Sequence, residues 1–220
     1  MTEPDPRTPP GTAGSLTARK RAGLAAGPRA VLQAVLRAFA ATGQAPVPAD
    51  LQAIASHPGT AVGEALAGLA AADVLGLDDQ GRIRMAYPFS ATPTPHVVAI
   101  AGGPRVYSMC AVDALGIPPM LGTDAVITSS DPVTGEPVTV TFRGGQASWD
   151  PPTAVVFSGY TDCHGPAEQV TCGYLNFFAT PATASQWASQ HPQVTGSVLD
   201  QARACELGAQ TFGSLLGNGT

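Results

Sequence analysis

The sequence predicts an α+β protein, with a three-helix, winged-helix-like module at the N-terminus and a β-rich, mixed α/β domain after it. Three observations predict this. Apolar residues recur at helical spacing through residues 29–72. Beyond residue 96, short alternating runs are separated by Gly-containing turns. Two amphipathic segments then close the chain. The 220 residues are 44% apolar, which supports a sizeable core, but only 12% charged, about half the usual share.

Residues 1–28 hold five prolines, four glycines and the basic cluster Arg19-Lys20-Arg21. Such a stretch buries too little apolar surface to offset its ordering entropy, so a disordered tail is expected there. From Pro28 the pattern changes. Val31, Leu32, Val35, Leu36 and Phe39 mark one face of a helix ending at Thr42-Gly43. After the Pro46-Val47-Pro48 break, a short helix fits 49–56. A third fits 60–72, with Val62, Leu66 and Leu69 on one face. Residues 74–85 read as two strands around a turn. Three helices and a hairpin over 29–89 give the winged-helix order. The third helix, the DNA-reading one in such modules, carries no Lys or Arg. A packing or covering role is therefore expected rather than nucleic-acid binding.

Ser90 to Pro95 reads as a linker, and 96–220 as the second domain. Strands are expected at 96–100 and 105–109 around Gly102-Gly103, and at 125–129 and 137–142 around Thr134-Gly135. Further strands fit 153–158 and 174–179, and helices fit 183–190 and roughly 199–216. There is no βαβ alternation and no Gly-rich phosphate loop, so no nucleotide cofactor is expected. The net charge of −5 disfavours a general nucleic-acid binder. No apolar run is long enough to span a membrane, and the N-terminus lacks the order of a signal peptide, which makes the cytoplasm the expected location.

The candidate chemistry lies at two cysteines 62 residues apart, Cys110 and Cys172, with Asp113 three residues after the first. If Cys110 opens a helix after strand 105–109, the backbone dipoles there favour its thiolate and lower its pKa. Asp113 then lies on the same helical face. On spacing alone the plainer reading prevails, with Asp113 a first-turn acid and Cys110 a small core residue. Cys172 alone is as readily structural as functional. Asp162-Cys163-His164-Gly165 offers metal-ligand types in a loop, a weaker candidate. Cys205 reads as a small buried residue of a helix. His57, His96 and His191 have no partner at ligand spacing.

The contexts of the two cysteines resemble the organomercurial lyases, also called alkylmercury lyases. In that family a Cys-Ala-x-Asp run follows a Tyr-containing strand, as in Tyr107 to Asp113. A second essential cysteine precedes a Phe-Phe-Ala segment and an Ala-x-x-Trp-Ala helix, matched here by Cys172, Phe177-Phe178-Ala179 and Ala184 to Ala188. Ile117 to Gly122 and Thr134 to Val138 follow the family's intervening run. The likeness covers roughly 96–216, and the family's N-terminal three-helix domain matches the reading of 29–88. Met109, Gly173 and Asp131 stand where relatives often carry Trp, Cys and Cys.

The resemblance implies protonolysis of a carbon–mercury bond, with Cys110, Asp113 and Cys172 as the catalytic set. Two thiolates, Cys110 and Cys172, would hold the mercury of substrate and product, with Asp113 beside it. Mercury is soft and prefers thiolate sulfur. A carboxyl between two thiolates in an apolar pocket should have a raised pKa and can pass a proton to carbon. No cofactor is implied. Partners would be the organomercurial, low-molecular-weight thiols that remove Hg(II), and a mercuric reductase as acceptor, in a mercury-detoxifying role. The alternative is a thiol-based mercury or copper binding protein, or a metal-responsive regulator, without lyase activity.

Overall fold

A computed structural model describes residues 23–52, 61–161 and 166–217. The Arg19-Lys20-Arg21 cluster, His57 and the 162–165 stretch lie outside these residues, as does the expected tail through residue 22.

The chain is α+β. Helix α1 (Ala26–Thr42) buries Val31, Leu32, Val35, Leu36 and Phe39, the face its spacing predicts, and ends at Gly43 with φ +76°. Helices α2 (Pro48–Leu51) and α3 (Val62–Ala71) follow, then strands β1 (Leu75–Leu77) and β2 (Ile83–Ala86). The three-helix-then-hairpin order is present. The expected linker begins differently: Ser90 is buried and ends a short strand, β3 (Phe89–Ser90), paired with both β2 and β5 (Arg105–Ser108). Phe89 stacks on Phe39 of α1 with centroids 5.3 Å apart. A two-residue strand carries too little periodicity to register in sequence.

One antiparallel sheet of eight strands therefore runs across the expected boundary. Its remaining strands are β4 (Val97–Ile100), β6 (Ala125–Ser130), β7 (Pro137–Arg143) and β8 (Gln146–Asp150), in the order β1-β2-β3-β5-β4-β6-β7-β8. Val98 pairs with Ile127 and Ile127 with Val140, so one face presents an apolar row to the interior. A second sheet, β10-β9-β11, consists of β9 (Val155–Tyr160), β10 (Leu175–Phe178) and β11 (Thr195–Leu199). Strands β8 and β11 are additions to the sequence reading. The first buries only Trp149 and the second buries nothing, so neither shows an apolar stripe.

Between the sheets lies α4 (Ala111–Leu121), buried on nearly every side from Ala111 to Pro118 and ending at Gly122 with φ +61°. It packs against β4, β5 and β6 on one side and β10 on another. Its largest partner is α7 (Gln201–Phe212), which crosses it where Gly116 faces Gly208. A short helix, α5 (Ala167–Val170), leads through a 3-10 turn at Cys172–Tyr174 into β10, and α6 (Pro181–Gln190) follows with a Thr180–Thr183 capping box. A single core joins residues of α1, the large sheet, α4 and α7. No described helix is long and apolar enough to cross a membrane.

Candidate active site

Strand β5 delivers the chain to Cys110, the N-cap of α4. Its backbone is extended (φ −158°), and its sulfur accepts the Asp113 N–H at 3.4 Å. The Ser108 hydroxyl donates to the Cys110 carbonyl at 3.0 Å and fixes the junction. Asp113, one turn into the helix, is 5% exposed and points the same way as the thiol. Cys172, 7% exposed, opens the 3-10 turn before β10. The two sulfurs and a carboxylate oxygen of Asp113 all lie within 4.8 Å of one another. Sequence separation of 62 residues is thus closed by the fold, because β10 runs along α4.

The helix dipole does not decide the state of Cys110. Burial in apolar surroundings pushes its thiol well above the ordinary value, helped by Cys172 and Asp113 beside it, and this outweighs the Asp113 N–H that favours thiolate. The expected lowering is therefore corrected: the end of a helix stabilises an anion by a fraction of what full desolvation costs it.

The pocket around the three groups is lined by Tyr87, Val112, Ala167, Thr171, Leu175 and Phe212, and its cavity is about 20 Å³, the space of roughly one water. Tyr87, between β2 and β3, escapes sequence reading because it looks like one more apolar residue of a hairpin. It is 2% exposed, and its hydroxyl faces Cys172. The Cys172 segment is tied to the α3–β2 region twice. Asp73 accepts the Ala167 N–H at 2.9 Å, and Arg84 pairs with Glu168 through both nitrogens and both oxygens. Asp73 itself sits at φ +56°, a left-handed position that Asp tolerates better than most residues.

The remaining candidates fall elsewhere. His96 is buried, bonded through Nδ1 to Ser129 Oγ at 2.9 Å, and burial lowers its pKa to about 4, so it is a neutral core residue. His191 stacks on Trp187. Cys205 is half-buried in α7, outside the pocket. Asp131 holds the fold together: its carboxylate accepts the N–H groups of Val133 (2.8 Å) and Ala179 (2.9 Å) and the Thr183 hydroxyl (2.6 Å). Gly173 is exposed, and a side chain there would meet open space.

With this geometry in place, comparison with known proteins is decisive. The alkylmercury lyase family model (MerB) matches residues 89–213. The chain belongs to the alkylmercury lyase family. It is 33% identical to the alkylmercury lyase of Staphylococcus epidermidis over 162 residues, 73% of each chain. It is 36% identical to that of Streptomyces lividans over 140 residues, 63% of each chain. A crystal structure described as the mercury-bound form of MerB2 superposes with a TM-score of 0.76 at 22% identity, covering 94% of this chain and 99% of that one, and so shares the fold. Family membership makes the chain an enzyme of the carbon–mercury lyase class.

Proposed function

We propose that this chain cleaves organomercurials by protonolysis, with Cys110 and Cys172 as the mercury-binding thiols and Asp113 as the proton carrier. The observation that carries the reading is the convergence of these three buried groups within 4.8 Å in a member of this family.

The chemistry follows from the residues. An organomercurial arrives as its thiol adduct, R–Hg–SR′. The Cys110 thiol displaces R′S⁻, which leaves with the cysteine's proton as R′SH. Cys172 then adds to the mercury and gives its proton to the Asp113 carboxylate. With two thiolates on mercury, electron density is pushed toward carbon, and Asp113 returns the proton to that carbon. The electron pair of the C–Hg bond leaves with carbon as R–H, and Hg(II) stays on the two sulfurs. Mercury undergoes no redox change, so no cofactor is required. Holding all the groups around one bond supplies the proximity term. Two external thiols then exchange Hg(II) off and reprotonate the cysteines. A reducing cytoplasm suits this turnover, with a mercuric reductase as the downstream acceptor. We read residues 29–89 as a winged-helix-like module whose task is to close this site, a reading supported by Asp73 and Arg84 gripping the Cys172 segment.

The test is incubation of reduced protein with methylmercury and excess thiol, with methane followed by gas chromatography. Cys110→Ser and Cys172→Ser should each abolish methane, while Asp113→Ala should bind mercury and cleave at least 100-fold more slowly, the scale of a lost general acid. Tight mercury binding with no methane from the wild type would replace the lyase by a thiol trap.

A further inference from the structure

Tyr87 is the group in the pocket that the proposed mechanism leaves without a task. Its ring packs in the core, and its hydroxyl is fully buried with no oxygen or nitrogen partner among the described residues. A buried hydroxyl left without a strong acceptor costs on the order of 1–3 kcal/mol, so its persistence calls for a role. The groups facing it are Cys172 from the 3-10 turn, Asp113 from α4 and Asp73 from the end of α3. All carry acceptor atoms, and Arg84, which clasps Glu168, also lies within electrostatic reach of the phenol. A buried donor with no oxygen or nitrogen acceptor, lining the same small pocket as Cys172, is placed to bond that sulfur when mercury is held there.

We propose that Tyr87 is a positioning residue for the second thiol: its hydroxyl donates a hydrogen bond to the Cys172 sulfur once mercury is held between the cysteines, fixing that sulfur relative to Cys110 and Asp113. The proposal rests on the lyase reading. It assigns Tyr87 to the step after capture. Cys110, seated on α4, takes the organomercurial first and needs no help from Tyr87. The doubly ligated state does need it, because Cys172 rides on a three-residue turn rather than on a long buried helix as Cys110 does. The N-terminal module then contributes directly to the chemistry, since Tyr87 belongs to it.

Tyr87→Phe tests this, because it keeps the ring and removes only the donor. With methylmercury and excess thiol, kcat should fall about tenfold, the scale of one hydrogen bond to a charged group, while KM stays within about twofold. A kcat within about twofold of wild type would overturn the proposal. So would a fall in kcat matched by a fall in folded protein measured by circular dichroism, which would assign Tyr87 to packing. If the wild type releases no methane, the lyase reading fails by itself, and the role of Tyr87 is decided on Hg(II) alone. Transfer of bound Hg(II) to a chelating dithiol should then be about tenfold faster from Tyr87→Phe. Equal transfer rates would overturn the proposal.

Discussion

The two walls of the site are built differently. Cys110 caps an 11-residue helix whose residues from Ala111 to Pro118 are buried, so its position is set by the core. Cys172 opens a 3-10 turn that follows a short helix with no buried residue, and that helix is held by polar contacts: Asp73 to Ala167, Arg84 to Glu168, and the Thr161 N–H to the Val170 carbonyl at 2.9 Å. The cavity between the walls, about 20 Å³, has no room for an organomercurial. One wall must yield, and magnitudes decide which. Displacing α4 would expose buried side chains such as Leu115 and Ile117 at about 2–3 kcal/mol each. Parting the Cys172 segment breaks a few partly solvated polar contacts at about 1 kcal/mol each and uncovers only the small side chains of Thr171 and Cys172. The core therefore fixes the first thiol, and the second is carried by the part that can move.

The largest effect expected bears on how far that movable wall extends. Asp131 anchors β10 at the end away from Cys172, bonding Ala179 and Thr183 to the β6–β7 turn. Asp131→Ala would strand buried N–H groups and should cost about 3 kcal/mol in urea denaturation. Burial raises this carboxyl's pKa, but the Thr183, Ala179, Val133 and Thr134 hydrogen bonds outweigh it and hold the pKa below the ordinary value. A depressed folded pKa means stability present above the unfolded value and lost as pH falls. The gap between wild type and variant should accordingly be full at pH 7 and shrink below about pH 4. An undiminished gap at pH 3 would mean that the carboxylate's charge is not what holds the anchor.

On the rigid side, Gly208→Ala should cost about 2 kcal/mol, although Gly to Ala in a helix ordinarily gains up to about 1 kcal/mol. The added Cβ would lie 2.9 Å from both Gly116 N and Leu115 C, backbone atoms that cannot step aside without moving α4. A stabilised variant would show that α4 is not pinned. On the yielding side, Glu168→Gln should change stability by less than about 1 kcal/mol, since the pair is partly exposed. Alkylation of Cys172 by a bulky maleimide, located by mass spectrometry, should nevertheless speed up severalfold. An unchanged rate would mean that this clasp does not govern access.

This contrast also explains what could be read in the sequence. The α1 face, the turns at 102–103 and 134–135 and the pairing of Cys110 with Asp113 are local, and spacing alone carries them. That Cys172 meets them depends on the placement of β10 along α4, which no spacing expresses; only the resemblance to a family brought the three together. Tyr87, Arg84 and Glu168 were illegible for the same reason, since an apolar-looking tyrosine and two charges 84 residues apart give no local signal. The state of Cys110 is not legible in the sequence, because helix position is visible there and depth of burial is not.

The smallest expected effect separates what the site needs from what its relatives carry. Gly173 adjoins Cys172, where a cysteine is often expected, yet a Cβ there would touch nothing within 4 Å, and its backbone is not in the left-handed region. Gly173→Ala should therefore leave kcat and KM within about twofold. It should shift stability by less than about 1 kcal/mol, toward stabilisation, through the reduced freedom of the unfolded chain. The same holds sterically for Gly173→Cys, whose thiol would project from the outer side of the turn and could not replace Cys172 as a ligand. Recovery of activity in a Cys172→Ser, Gly173→Cys double variant would contradict this and require the turn to rotate during turnover. Its continued inactivity would place the requirement for sulfur at the inward position alone.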